Sequence, residues 1–267
     1  GGAVYILPNL ITSGNIFFGF FSIVKSLQGQ FVWAAAAILL AAVFDVLDGG
    51  VARLTNSSSE FGVQYDSLCD LVSFGVAPAM LMYTRWLSDY GRVGWIACFV
   101  FLACGALRLA RFNVQSSIGK ASGDFVGLPI PMAAGVIASF SIAYSEAESI
   151  VRLGVYGSAI LQSLINSGFE DYFVMFSGPI LGVLMVCNVG FRSHKALKVK
   201  GVSPFKFLSA SVVLLGLVAI QPELLGFCIF FLYAASGPVD YLFGRRGIVD
   251  DNEIFDTEDD DTIESDE

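Results

Sequence analysis

The stretch AILLAAVFDVLDGGVAR, residues 37–53, decides the fold class of this chain. It begins as an uninterrupted apolar run and ends in two aspartates, two adjacent glycines and an arginine. Together with the apolar residues before it, the run is long enough to cross the hydrocarbon core of a bilayer, which takes about 20 residues. Carboxylates in a membrane segment are energetically costly and are functional by default. The stretch therefore predicts a membrane helix that ends in a functional site.

The composition of the chain is that of a membrane protein. Of its 267 residues, 55% are hydrophobic and only 15% are charged, whereas about 25% of the residues in a soluble domain are charged. Runs near the length of a membrane span predict eight helices, at 8–26, 31–48, 66–84, 93–111, 126–145, 172–190, 205–220 and 223–243. We therefore expect an all-α, polytopic membrane helix bundle that occupies residues 1–246.

The acidic residues are concentrated at the C-terminus. The formal net charge is −9, but 11 of the 24 acidic residues lie between Asp250 and Glu267. Few apolar residues accompany them, which predicts that residues 247–267 form an acidic, disordered cytoplasmic tail. The five cysteines lie in apolar runs and show no CxxC spacing, so we expect neither a disulfide framework nor a zinc site. We expect no nucleic-acid partner.

Eight spans would place both termini on one side of the membrane. Eleven Lys and Arg residues then fall in the connections on that side. The other side carries four, which are Lys25, Arg85, Arg92 and Arg152. Under the positive-inside rule, this difference predicts that the termini and the loop after DVLDGG face the cytoplasm. A channel or transporter would contain the same spans, so the difference indicates orientation and not function.

Two pairs of aspartates flank one short connection between predicted helices. Asp45 and Asp48 are three residues apart, and Asp66 and Asp70 are four apart, so each pair lies on one helix face. Four carboxylates at one depth repel each other unless protons or cations lie between them. An all-oxygen cluster suits a hard divalent ion such as Mg²⁺ or Mn²⁺. A solvated, charged helix end is the alternative, but it does not explain a second matching pair beside small residues and an arginine.

The pattern DxxDGxxAR-x8-GxxxDxxxD, from Asp45 to Asp70, resembles the signature of the CDP-alcohol phosphotransferase family at every defined position. This resemblance implies a membrane enzyme with a six-helix catalytic core. Such an enzyme moves a substituted phosphoryl group from a CDP-linked donor to a hydroxyl and releases CMP. The resemblance also implies two divalent metal ions per site, Mg²⁺ or Mn²⁺, and a homodimer.

The resemblance implies roles for individual residues of the signature. The implied metal ligands are Asp45, Asp48, Asp66 and Asp70. Asp70, the last aspartate, is the implied general base. The implied CDP-binding residues are Gly49, Ala52, Arg53, Gly62 and Asp66.

Three further segments are similar to the phosphatidylserine synthase branch of that family. They are LPNLIT (7–12), ALRLARFNV (106–114) and FVGLPIPMAAG (125–135). In that branch, CDP-diacylglycerol donates a phosphatidyl group to the hydroxyl of L-serine, which implies an enzyme in a bacterial inner membrane with its site facing the cytoplasm. The sequence also allows another acceptor, such as glycerol 3-phosphate or inositol, and it allows an archaeal-type lipid donor. A cation transporter is the remote alternative.

Candidate acceptor residues lie near the end of the fourth predicted span. An amino-acid acceptor has a carboxylate that needs a cation, so we predict that Arg108 or Arg111 binds it, beside Asn113. The same arginines can instead hold the donor phosphate or reach lipid headgroups. Asn9 and Thr12 are weaker candidates in the first helix, where hydrogen bonding between helices is the alternative.

Overall fold

The computed structural model describes residues 6–55, 59–117, 125–154, 158–191 and 221–243. Within these ranges the chain is almost entirely helical. The strands found there form one antiparallel pair of two residues each, β1 (Phe125–Val126) with β2 (Gly190–Phe191). The predicted all-α class is therefore confirmed.

The described helices follow one another with short connections. They are α1 (Ile6–Leu27), α2 (Phe31–Thr55), α3 (Glu60–Asp70), α4 (Ala77–Met82), α5 (Gly91–Ser117), α6 (Ile130–Arg152), α7 (Ser158–Asn166), α8 (Phe169–Val186) and α9 (Pro222–Leu242). Two π-helical segments, Leu71–Val76 and Tyr83–Leu87, flank α4 and make α3 and α4 one continuous rod. A 3₁₀ turn at Ser88–Tyr90 then leads into α5.

Six helical segments of the described chain are long and apolar enough to cross a membrane. One of them, Glu60–Ser116, is 57 residues long and folds back on itself at Gly91, whose φ is 53°. The fold-back brings Asn113 within hydrogen-bond distance of Ser67, at 2.9 Å. The predicted span 205–220 lies outside the described residues, so the count of eight spans stays a prediction.

Apolar side chains cover the outer faces of these helices. Phe17 and Phe20 of α1, Trp33 of α2 and Phe176 of α8 are all more than 60% exposed. Such surfaces are unfavourable in water but suit a lipid environment, where the helix satisfies its own backbone hydrogen bonds. The chain is thus an integral membrane protein.

The helices run between two ends of the bundle. We call the end where α2 finishes and α3 begins the acidic end, and the other the opposite end. Phe227 of α9 packs against Phe140 of α6, and a Cβ on Gly135, nearer the start of α6, would touch Phe230. α9 therefore runs antiparallel to α6 and finishes at the acidic end.

Small residues allow the helices to pack closely. The buried faces of α2 and α6 consist largely of small residues, among which are Ala34, Ala35, Ala37, Ala41, Ala133, Ala134, Ala138 and Gly135. α1 approaches the first π segment at Gly19, where a Cβ would lie 2.7 Å from the Cα of Ser73. Side chains of this size bring backbones together in membrane bundles, where packing rather than the hydrophobic effect holds helices. The predicted tail, 247–267, lies outside the described residues.

Candidate active site

Three of the predicted metal ligands converge at the acidic end. One carboxylate oxygen from each of Asp45, Asp48 and Asp66 lies within 4.8 Å of the others. The three-residue spacing on α2 turns the first two side chains toward the same side, and α3 supplies the third. The sequence spacing thus predicts this convergence correctly.

Two oxygens of the converging carboxylates have no hydrogen-bond partner among the described residues. Asp48 is only 5% exposed, and its Oδ2 is buried without a hydrogen-bond partner in the described chain, as is Oδ1 of Asp66. Buried carboxylates of like charge are unfavourable unless a cation compensates them. A set of carboxylate oxygens is the ligand type that hard divalent ions prefer. The three side chains therefore fit a divalent metal ion, as the sequence predicts.

Asp70 differs from the three converging carboxylates. It lies one helical turn further from the acidic end and is not among the oxygens that lie within 4.8 Å of one another. It is 8% exposed, and its Oδ1 accepts a hydrogen bond from Nδ2 of Asn15 at 2.9 Å. Its predicted roles as fourth metal ligand and general base stay predictions.

Arg108 brings positive charge to the acids. This α5 residue is 8% exposed and interacts electrostatically with Asp70 and Asp45. Its guanidinium carbon lies 5.7 Å from the ring centre of Phe112. Its Nε is buried and has no hydrogen-bond partner in the part of the chain that the structure describes. Arg108 thus has a donor available for an anionic group at the site.

The other two predicted acceptor residues point elsewhere. Arg111 donates hydrogen bonds to the Val186 carbonyl at 3.1 Å and to Oδ1 of Asn188 at 2.6 Å. Asn113 is hydrogen-bonded to Ser67 of α3. Both side chains connect α5 to its neighbours, and their predicted contact with a substrate stays a prediction.

The weaker candidates on α1 do lie beside the site. Thr12 is 5% exposed and its side chain is hydrogen-bonded to Asp48. Oδ1 of Asn9 would lie 3.6 Å from a Cβ placed on Gly62. These contacts place α1 along one side of the acidic site. Hydrogen bonding that only joins the helices would give the same contacts, so a substrate role for Asn9 and Thr12 stays a prediction.

The predicted CDP-binding residues lie around the α2–α3 connection. Gly49 is half-buried at the acidic end of α2, and the N–H of Gly62 donates to Oγ of the cap residue Ser59 at 3.0 Å. Ala52 and Arg53 belong to α2, but their side chains lie outside the described residues. The nucleotide-binding role of this set stays a prediction.

The signature motifs do not point to Asn15, which the structure places directly against Asp70. Asn15 is fully buried, at 0% exposure. The signal that identifies it is an amide in the middle of an apolar membrane helix, because such a side chain needs a specific partner.

Comparison with known proteins extends the similarity beyond the signature. A family model described as CDP-alcohol phosphatidyltransferase matches residues 5–166, which include all four aspartates. A CDP-diacylglycerol–serine O-phosphatidyltransferase of Helicobacter pylori is 33% identical over 241 residues, or 90% of this chain and 92% of that protein. A protein of the same name from Methanocaldococcus jannaschii is 30% identical over 241 residues, or 90% and 96%. An archaetidylserine synthase of Methanothermobacter thermautotrophicus is 44% identical over 144 residues, or 52% and 60%.

Proposed function

Because the chain belongs to the CDP-alcohol phosphatidyltransferase family, we propose that it transfers the phosphatidyl group of CDP-diacylglycerol to the hydroxyl of L-serine, giving phosphatidylserine and CMP. The observation that carries the chemistry is the convergence of Asp45, Asp48 and Asp66 at one end of the membrane helices. Serine as acceptor is supported by relatives named for that reaction that align with 90% of the chain.

Divalent metal ions complete the site in this proposal, with two per site and Mg²⁺ or Mn²⁺ as the ion. Asp45, Asp48 and Asp66 would hold them, with Asp70 as a further ligand. When bound, such ions stabilise negative charge on the donor phosphates and on the departing CMP. The chain contributes converging carboxylates, of which Asp48 Oδ2 and Asp66 Oδ1 accept no hydrogen bond from the described residues.

Asp70 acts as the general base. Its carboxylate takes the proton from the serine hydroxyl, whose oxygen forms a bond to the phosphorus that carries diacylglycerol. The bond from that phosphorus to the phosphate oxygen of CMP breaks, and CMP leaves with the electron pair. General-base assistance of this kind contributes about 10²–10⁴-fold to the rate.

Arg108 binds the carboxylate of serine. Support comes from its burial, its unpaired Nε and its electrostatic interaction with Asp70, because an acceptor bound there has its hydroxyl near the base. The donor phosphate is a second anion that the same guanidinium can bind. Gly49 and Gly62, with Ala52 and Arg53, would hold the CDP moiety.

We place the acidic end and both termini at the cytoplasmic side of a bacterial inner membrane, in a homodimer. The positive-inside count supports this orientation. Soluble serine and CMP exchange there with the cytoplasm, while the lipid stays in the bilayer.

A second candidate uses an archaeal-type lipid donor with the same acceptor. The 44% identity to an archaetidylserine synthase over 144 residues favours it. The remote alternative of a cation transporter requires acids along the membrane depth, whereas Asp45, Asp48 and Asp66 of the described chain cluster at one end. Glycerol 3-phosphate and inositol as acceptors gain no support from the names of these relatives.

The test is an assay of purified protein with CDP-diacylglycerol or CDP-archaeol. Each donor is combined with serine, glycerol 3-phosphate or inositol, with and without Mg²⁺ or Mn²⁺, while CMP and lipid product are measured. We expect serine-dependent, metal-dependent CMP release with CDP-diacylglycerol. Absence of serine-dependent release with either donor would refute the proposed function, and release with CDP-archaeol alone would select the second candidate. The exposed variant Asp89→Asn serves as the control for mutagenesis and detergent.

A further inference from the structure

Asn15 is the buried polar residue of α1 whose side chain is hydrogen-bonded to Asp70. Its Nδ2 donates to Oδ1 of Asp70 at 2.9 Å, while its own Oδ1 is buried without a hydrogen-bond partner in the described residues. A buried polar atom left unpaired costs about 1–3 kcal/mol. An amide that served only to join helices would be expected to satisfy both of its polar atoms. Within the described chain, the bond to Asp70 is the one hydrogen bond that the Asn15 side chain makes.

From this contact we infer that Asn15 is a positioning residue for Asp70, holding its carboxylate in the orientation in which it receives the acceptor proton. The inference rests on the proposed function, in which Asp70 is the general base. The amide takes one lone pair of Oδ1, and the remaining lone pairs of the carboxylate stay available for the metal ion and for the proton of the acceptor hydroxyl. Asn15 itself does not touch the reacting atoms in this scheme.

The surrounding contacts make Asn15 a rigid support. Ser73, three residues beyond Asp70, donates from its Oγ to the backbone carbonyl of Asn15 at 3.0 Å. On the other side, the hydroxyls of Ser13 and Tyr65 lie 3.0 Å apart. These bonds join α1 to the α3 rod both before and after Asp70. The amide of Asn15 is thereby held in place relative to the backbone that carries Asp70.

Close backbone approach strengthens the same support. A Cβ on Gly19 would lie 2.2 Å from Oγ of Ser73, so a larger residue at position 19 would push the two helices apart. The π segment Leu71–Val76 starts directly after Asp70. π turns are often found at functional sites, where they change the direction of neighbouring side chains. A displacement of about 1 Å at a reacting group can lower a rate about 100-fold, which makes such a support functionally significant.

The experiment is a double-mutant cycle that combines Asn15→Leu with Asp70→Asn. We expect Asn15→Leu to lower kcat about 10–100-fold, with KM for both substrates and the thermal midpoint nearly unchanged. In the Asp70→Asn background, the same substitution should change the residual rate less than about twofold, because there is no base left to position. A purely structural role would lower the rate equally in both backgrounds and would overturn the inference.

Two further variants keep the inference testable. Ser139→Ala removes a buried hydroxyl that, among the described residues, bonds to carbonyls of its own helix α6, and it should leave kcat unchanged. If Asn15→Leu does not fold, the cycle is run with Asn15→Ser, which is too short to reach Asp70. A kcat equal to that of the unaltered protein in that variant would overturn the inference. Failure of the unaltered protein to use serine would instead refute the proposed function, so the two failures are distinguishable.

Discussion

The two ends of the helix bundle bury charge in different ways. At the opposite end, Arg85 donates to the carbonyl and hydroxyl of Ser141, to Ser145 and to Glu148, over 2.6–3.2 Å. Its side chain is 6% exposed, and its guanidinium also lies 4.7 Å from the ring centre of Trp86. At the acidic end, by contrast, Asp48 Oδ2, Asp66 Oδ1 and Arg108 Nε are buried without a hydrogen-bond partner among the described residues.

This difference separates a structural charge from a functional one. Buried polar groups in native proteins nearly always have hydrogen-bond partners, so each exception needs an explanation. Arg85 is compensated by residues of α6 and connects that helix to the α3–α4 rod. The unpaired atoms of the acidic end are instead compensated when metal and substrate bind, as proposed above. Neutral groups of the opposite end, Ser26 Oγ and Trp86 Nε1, are also buried without partners in the described chain, but the charged groups with such atoms all lie at the acidic end. Incomplete pairing of charge, rather than burial alone, therefore identifies the site.

The largest expected effect is the loss of turnover in Asp70→Asn. Removal of the base should lower kcat about 10²–10⁴-fold, while donor binding and the thermal midpoint are retained, because the amide keeps the shape of the carboxylate. CMP release and equilibrium binding of CDP-diacylglycerol measure the two quantities. The control Asp89→Asn, at the exposed turn before α5, should behave like the unaltered protein. Normal turnover in Asp70→Asn would show that this carboxylate is not the base.

Arg85→Met should have the opposite effect to Asp70→Asn: the free energy of unfolding should fall, while the turnover rate of the folded protein should not change. The substitution removes the four hydrogen bonds of a buried guanidinium, which should destabilise the protein by about 3 kcal/mol. Glu148, whose side chain is 38% exposed, is solvated afterwards. Thermal unfolding in mild detergent should show the loss, while CMP release per folded molecule at low temperature stays unchanged. Arg92→Met removes an exposed arginine from the same end and should change neither quantity. If Arg85→Met were stable but inactive, the opposite end would have to be regarded as functional.

The limits of sequence-based prediction also differ between the two ends. The spacing of Asp45, Asp48 and Asp66 predicts their convergence because it depends only on helical periodicity and one short connection. The environment of Arg85 could not be predicted in this way, and the positive-inside count treats this residue as a loop charge. Its partners in α6 lie 56–63 residues away in the chain, and their contact depends on how each helix is rotated about its axis.

Helix boundaries show a similar limit. The run predicted at 31–48 is a helix over Phe31–Thr55, and the run predicted at 66–84 lies inside a helical rod that begins at Glu60. Hydropathy marks the residues that lipid covers, whereas backbone hydrogen bonding continues into the polar ends. The earlier start at Glu60 follows from Ser59, whose side chain accepts a hydrogen bond from the N–H of Gly62 and caps the helix.

Removal of a buried charge should have opposite effects on stability at the two ends, destabilising the protein at Arg85 and stabilising it at Asp48. In the presence of a chelator, Asp48→Asn should stabilise the protein by about 2 kcal/mol, because it removes one of three like charges that lie close together in a buried site. Added Mg²⁺ should raise the thermal midpoint of the unaltered protein, because a ligand stabilises the state that binds it. The increase should be much smaller in Asp48→Asn, which lacks one of the carboxylates that bind the ion. Destabilisation by Asp48→Asn without metal would mean that this carboxylate is already compensated by the protein.

The smallest expected effect concerns a single hydrogen bond from a tyrosine hydroxyl to a carboxylate at the opposite end. The hydroxyl of Tyr144 donates to Oε1 of Glu170 at 2.7 Å, so Tyr144→Phe should lower the free energy of unfolding by about 1.5 kcal/mol without changing CMP release. Tyr83→Phe is the matched control, because its hydroxyl makes no hydrogen bond within the described residues, and it should change stability by less than about 0.5 kcal/mol. Equal effects of the two substitutions would mean that hydrogen bonding at the opposite end contributes little to the free energy of unfolding. The two ends would then differ only in the metal and substrate that bind at the acidic end.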